Sequence, residues 1–121
     1  MSRVAVVEDN PDNRLLIRVL LEQAYQVSEY ENGQAALDGL RRERPDLVLL
    51  DISLPGMDGP EVLGQIRADA TLRDLPVVAL TAHAMKTDRQ RFLDKGFDEY
   101  VAKPITDEQE LFGVIERLLG G

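Results

Sequence analysis

The chain predicts an α/β fold, a five-stranded parallel sheet with five helices on both faces, on three observations. Short apolar runs alternate with helix-like segments from end to end, which is the pattern of βα units wound on a parallel sheet. The first, third and fourth runs are nearly unbroken in Val, Leu and Ala, as strands covered on both faces are. Four of the five runs end on a chemically pointed residue: Glu8-Asp9, Asp51, Thr81 and Lys103-Pro104. In a parallel sheet these ends lie along one rim, where open α/β folds bind ligands, so residues distant in sequence converge there.

Strands are predicted at Arg3 to Val7, Gln26 to Tyr30, Leu47 to Leu50, Val77 to Leu80 and Tyr100 to Ala102. After the first strand, Asn10 followed by Pro11 reads as an N-cap and first helical residue, opening a helix to about Ala24. On that helix Ile17, Leu20, Leu21 and Ala24 form one stripe that should face the sheet, while Leu15 and Val19 fall nearly opposite and should be exposed. Ile105, just after Pro104, should extend that exposed patch along the rim. Asp58 with Glu61, and Thr106 with Gln109, read as capping boxes that start helices near Gly59 and Asp107. Gly96 after Lys95, with Phe97 placed to fold back on Phe92, reads as a Schellman stop for a helix beginning near Met85. Five strands and five helices result. No repeat, low-complexity stretch or linker interrupts them, so residues 1–121 are expected to form one domain.

At 121 residues the chain can bury a core but not two. The absence of cysteine excludes disulfides, thiolate metal sites and a cysteine nucleophile. No apolar run approaches the roughly 20 residues that span a bilayer, and Met1-Ser2-Arg3-Val4 enters a strand directly instead of a signal peptide. A cytoplasmic protein with no membrane partner is expected. Acidic residues outnumber basic ones 22 to 14, a net charge of −8 that opposes binding to phosphate backbones, so no nucleic-acid partner is expected either.

Glu8, Asp9 and Asp51 offer oxygen ligands and no nitrogen or sulfur, a set that suits a hard cation such as Mg²⁺. An acidic pair at a strand end can equally cap the following helix. Asp51 is harder to place that way, because a carboxylate ending the most apolar strand beside two others meets both desolvation and like-charge repulsion. Thr81 fits as a β-branched strand residue, and Lys103 as a solvated surface lysine. Pro104, however, restricts Lys103 to extended geometry and fixes the direction of its side chain at the strand end. An ammonium there offsets the carboxylates and can hold a phosphoryl oxygen, and a Thr hydroxyl can donate to another. Such parts suit transfer of a phosphoryl group to a carboxylate, which depends mainly on charge neutralisation and positioning.

Over its whole length the chain resembles the receiver domains of bacterial two-component response regulators, whose fold is the flavodoxin-like (βα)5 arrangement. The resemblance rests on Val-Val-Glu-Asp-Asn at 6–10, Leu-Leu-Asp-Ile-Ser-Leu-Pro-Gly-Met-Asp-Gly at 49–59, Ala-Leu-Thr-Ala-His-Ala-Met at 79–85 and Tyr-Val-Ala-Lys-Pro-Ile at 100–105. It implies that Asp51 accepts the phosphoryl group and is the modified residue, and that Glu8, Asp9, Asp51 and the backbone carbonyl of Ser53 bind Mg²⁺. It also implies that Thr81 and Lys103 contact the phosphoryl group and that Tyr100 moves with Thr81 as the switch aromatic. The phosphodonor would be a histidine kinase or histidine phosphotransfer protein, docked on the face bearing Leu15, Val19 and Ile105. Ser53 and His83, two residues beyond Asp51 and Thr81, resemble gatekeepers of water attack on the acyl phosphate. Glu8 departs from the Asp that many relatives carry.

No DNA-binding or enzymatic segment follows Leu119, so the resemblance implies a stand-alone receiver, with self-phosphorylation and slow self-dephosphorylation as its only chemistry and an unidentified downstream protein as its output. A rival reading is a haloacid-dehalogenase-like phosphatase with an Asp nucleophile. Its second Asp would stand two residues after the nucleophile, where this chain has Ser53. A flavodoxin-like nucleotide binder lacks its phosphate loop, since Gly56, Gly59 and Gly64 are spaced wrongly for one.

Overall fold

A computed structural model describes residues 1–82 and 88–120, with the side chains of 88 and 89 left out. The elements alternate strictly: β1 (Arg3–Val7), α1 (Pro11–Leu21), β2 (Gln26–Tyr30), α2 (Gly33–Arg42), β3 (Leu47–Asp51), α3 (Gly59–Ala68), β4 (Val77–Thr81), α4 (Asp88–Asp94), β5 (Glu99–Ala102) and α5 (Glu108–Leu118). All strands pair in parallel in the order β2-β1-β3-β4-β5. The chain reverses direction across the sheet between β1 and β3, so the ends of those two strands open the crevice where such sheets bind ligands.

Strand alternation sorts the core into two layers. Val4, Val6, Leu47, Leu49, Val78, Leu80 and Val101 face Ile17 and Leu21 of α1 and Leu111, Val114 and Ile115 of α5. Ala5, Val7, Val48, Leu50, Val77 and Ala79 face α2, α3 and α4, where Leu37, Leu40, Val62, Leu63, Ile66 and Phe92 cover them. Both faces are thus sealed, and the rim is left for chemistry.

Strand ends differ from the sequence reading by one residue. β3 and β4 continue through Asp51 and Thr81, because the register Asp51↔Leu80 and Thr81↔Ala102 keeps both in the ladder. The Asn10 side chain caps α1 by accepting from the N–H groups of Asp12 and Asn13, which removes helix capping as the purpose of Glu8 and Asp9. The helix stops at Leu21, short of Ala24, which is exposed in the turn beyond. There the chain bends to stack Tyr25 on Phe112, ring centroids 6.2 Å apart, before β2 begins. Asp107, not Thr106, caps α5 by accepting from Gln109 N at 3.0 Å. Its carboxylate suits the positive end of a helix better than the neighbouring hydroxyl does.

The stop after α4 has the expected Schellman form. Gly96 has φ 105°, Phe97 N donates to Phe92 O at 3.1 Å, Gly96 N donates to Leu93 O at 3.0 Å, and the two Phe rings meet edge to face. The helix start near Met85 lies outside the described residues. Arg67 ties this turn to the rest of the fold. One guanidinium nitrogen donates to Arg73 O and Leu75 O, the other to Gly96 O and Asp98 Oδ2. Asp98 Oδ2 in turn accepts from Val77 N.

Candidate functional site

Four strands deliver the site. Glu8 leaves β1 with its N–H donating to Tyr30 O at 3.0 Å; Asp51 is the last residue of β3 and Thr81 of β4. Lys103 follows β5, and its N–H donates to Thr81 O at 2.8 Å. Glu8 is fully buried, and Asp51 and Thr81 are 1% exposed. Asp9 is exposed beside them. Oxygens of Glu8, Asp9 and Asp51 lie within 4.8 Å of one another. The residues taken from four separate strand ends therefore meet in one place.

Lys103 is no solvated surface lysine: its side chain is 16% exposed. Its Nζ donates to Asp51 Oδ2 at 2.9 Å and reaches both oxygens of Glu8 at 3.3 Å. Asp51 Oδ1 accepts from Ser53 N at 2.9 Å, so the loop after β3 begins by turning back on the carboxylate. The backbone there runs very close to α3. A Cβ on Gly59 would stand 2.5 Å from Ile52 Cα and 2.7 Å from Asp51 O, and Gly59 N donates to Ile52 O. Only glycine lets the helix start against the end of β3.

The sequence reading assigned the electrostatic burden to Asp51; the structure shifts it to Glu8. Burial, with the adjoining Asp51 carboxylate adding to it, pushes Glu8 from 4.5 up to about 7, against the Asn13 amide and Lys103. Burial acts on Asp51 as well, but hydrogen bonds from Glu8, Lys103 and the Ser53 N–H outweigh it and hold Asp51 below its ordinary value. Lys103 is likewise desolvated, yet Asp51 and Glu8 hold it above its ordinary value. Of the two buried carboxylates, Glu8 is therefore the one disposed to take up a proton and Asp51 the one whose charge Lys103 offsets.

Two partners of Glu8 went unnoticed in the sequence. Asn13 Nδ2 donates to Glu8 Oε1 at 2.9 Å, and Arg14 donates to the Glu8 carbonyl at 2.9 Å. Their position in the first turn of the helix that starts at the site was the available signal. Tyr100 is half-buried, with its ring 5.8 Å from that of Phe92. His83 lies outside the described residues.

Leu15 and Val19 are exposed, at 49% and 45%, as the helical period requires. Ile105, however, adjoins different residues. It shares grooves with Asn13, Leu16, Ile17 and Lys103 and with Leu20, whereas Leu15 lines a separate groove with Arg14, Arg18 and Tyr30. Leu16, 42% exposed, lines both of the grooves that hold Ile105.

The chain that carries this arrangement is similar to known proteins over most of its length. The response regulator receiver domain model covers residues 4–116. The polar-differentiation response regulator DivK of Brucella anthropi is 45% identical over 104 residues, 85% of each chain. The sensor protein GacS of Pseudomonas syringae pv. syringae is 45% identical over 111 residues, 88% of this chain and 12% of that protein, so the chain spans only about an eighth of such kinases. Among solved structures, the receiver domain of the sensor histidine kinase PA1611 from Pseudomonas aeruginosa PAO1, with a magnesium ion coordinated in its active site cleft, superimposes with TM-score 0.88 at 36% identity, covering 99% of this chain and 98% of that one. The signal receiver domain of a histidine kinase from Syntrophus aciditrophicus gives TM-score 0.88 at 32% identity, over 100% and 92% of the two chains. The phosphatase and nucleotide-binding readings fall with these matches. Among the described residues no helix is long and apolar enough to cross a membrane. Receiver domains are signalling phosphoacceptors, not enzymes in the ordinary sense, and bind Mg²⁺ at an acidic pocket; this chain belongs to the response regulator receiver domain family of two-component signalling.

Proposed function

We propose that residues 1–121 act as one receiver domain in which Asp51 takes a phosphoryl group from the phosphohistidine of a histidine kinase or histidine phosphotransfer protein. The observation that carries this reading is the state of Asp51. It is buried, charged, and held by Lys103 at 2.9 Å and Ser53 N at 2.9 Å, an oriented nucleophile whose charge is already balanced. In the transfer an Asp51 oxygen attacks phosphorus, the phosphorus–nitrogen bond breaks, and its electron pair stays with the imidazole. Lys103 and the Thr81 hydroxyl are assigned to the phosphoryl oxygens, where charge develops.

Glu8, Asp9 and Asp51, with the Ser53 carbonyl, are the residues assigned to hold Mg²⁺. The all-oxygen donor set within 4.8 Å fits that ion. When bound, the ion supplies the positive charge that lets a second anion enter a cleft already rich in carboxylates. Thr81 and Tyr100 are assigned the switch, since Thr81 ends the strand that pairs with β5 and the Tyr100 ring sits at the edge of the α4 core layer. The output is an unidentified protein in the cytoplasm; the charge of −8 argues against nucleic acid. Hydrolysis of the acyl phosphate by the domain itself is taken to be slow.

Incubation with acetyl phosphate and Mg²⁺, followed by intact mass, tests this reading. One added phosphoryl group is expected, lost in Asp51→Asn and on chelation of the metal. Labelling of Asp51→Asn at the wild-type rate would overturn the assignment.

A further inference from the structure

We propose that Asn13 is a positioning residue for the metal site, acting through Glu8; the inference rests on the Mg²⁺ reading above. Glu8 stands at the end of β1 with a longer side chain than an aspartate, so its carboxylate has one more torsion to fix before an oxygen can meet those of Asp9 and Asp51. Asn13 supplies that restraint. Its Nδ2 lies 2.9 Å from Glu8 Oε1, and the carboxylate is fully buried, so no water competes for the contact. Glu8 Oε1 is the acceptor in this contact, so the amide presents its NH₂ group to it. The amide is itself held, because the Asn13 backbone N–H is one of the two donors that Asn10 Oδ1 caps, at 3.1 Å. Arg14, the next residue, fastens the Glu8 carbonyl at 2.9 Å. Consecutive residues in the first turn of α1 therefore fix both ends of Glu8, its main chain and its carboxylate. Partners that orient a metal ligand without touching the ion commonly change affinity tenfold or more when removed.

The substitution Asn13→Ala removes the amide but keeps the backbone N–H that Asn10 caps, and alanine favours a helix more than asparagine does. The melting temperature in EDTA should therefore hold, and this separates positioning from a role in the fold. Two readouts are expected to move together: the Mg²⁺ concentration for half-maximal thermal stabilisation rises about tenfold, and the half-saturating Mg²⁺ for labelling by acetyl phosphate rises in parallel while the rate at saturating Mg²⁺ stays near wild type. In a Glu8→Asp background the shorter side chain no longer reaches the amide, so Asn13→Ala should add nothing.

A tenfold loss in both backgrounds would overturn the inference, as would wild-type Mg²⁺ affinity in Asn13→Ala or a melting temperature that falls in EDTA with affinity unchanged. A wild-type protein that shows no Mg²⁺-dependent shift at all would overturn the metal reading itself, and this inference with it.

Discussion

Lys103 Nζ and Asp51 Oδ2 are 2.9 Å apart although the residues are 52 positions apart in the chain. Lys103 is thus the counter-ion of the site before any metal arrives. Replacing it by Met leaves two buried carboxylates facing each other, and breaking a largely buried pair from one side costs about 2 to 4 kcal/mol. Lys103→Met should lower the melting temperature in EDTA by several degrees, and Mg²⁺ should recover more of that loss than it adds to wild type. Calorimetry with and without the metal measures both.

Glu8 gives the metal-free domain a pH dependence. Its folded value of about 7 stands above the ordinary 4.5, so between those values the folded state holds a proton that the unfolded state has released. Stability on this account falls as pH rises from about 4.5 to 7, with a slope of at most about 1.4 kcal/mol per pH unit for one proton. The lowered Asp51 acts in the opposite sense but below its ordinary value of 3.8, outside that window. Glu8→Gln should flatten the profile and raise stability in EDTA near pH 7, while weakening the stabilisation by Mg²⁺. Urea unfolding of both proteins at pH 5 and pH 7 checks the sign, and an equal slope in the two would refute it.

A docking face for the proposed phosphodonor is testable at single-residue resolution. Leu16 lines the groove with Ile105 and Lys103, and Leu15 does not. Leu16→Asp should slow transfer from a cognate phosphohistidine protein about tenfold, the cost of a central apolar contact of about 1 to 3 kcal/mol. Leu15→Asp should cost less. Acetyl phosphate, which needs no docking, should label both variants at close to the wild-type rate.

Gly59→Ala tests the scaffold under the site. The added methyl group meets backbone of Asp51 and Ile52, not a movable side-chain tip, so the strand end has to shift. A loss of about 2 kcal/mol or more in stability is expected, together with slower labelling at saturating Mg²⁺.

The strand ends were legible in the sequence because each apolar run stops on a polar residue, and parallel topology makes those stops neighbours. Glu8, Asp9, Asp51, Thr81 and Lys103 could all be named that way. Leu16 could not. Helical period places Leu15 and Leu16 about 100° apart on α1, and which one meets Ile105 depends on where the loop after β5 runs. Asn13 was hidden for a related reason, since its contact with Glu8 joins a helix turn to a strand end through the reach of two side chains. The division of charge between Glu8 and Asp51 needed the position of the Lys103 ammonium, which no spacing supplies.

The four acceptors gathered by Arg67 all lie at the entry side of β4 and β5, and Asp98 closes the same corner through Val77 N. Those strands are therefore anchored at the edge remote from Asp51. If the proposed switch acts as a lever, its fulcrum is one guanidinium and its tip is the end that carries Thr81 and Lys103. On that proposal a change at the tip would not be absorbed by slippage of the far ends and would pass sideways, to what packs along the outer strand.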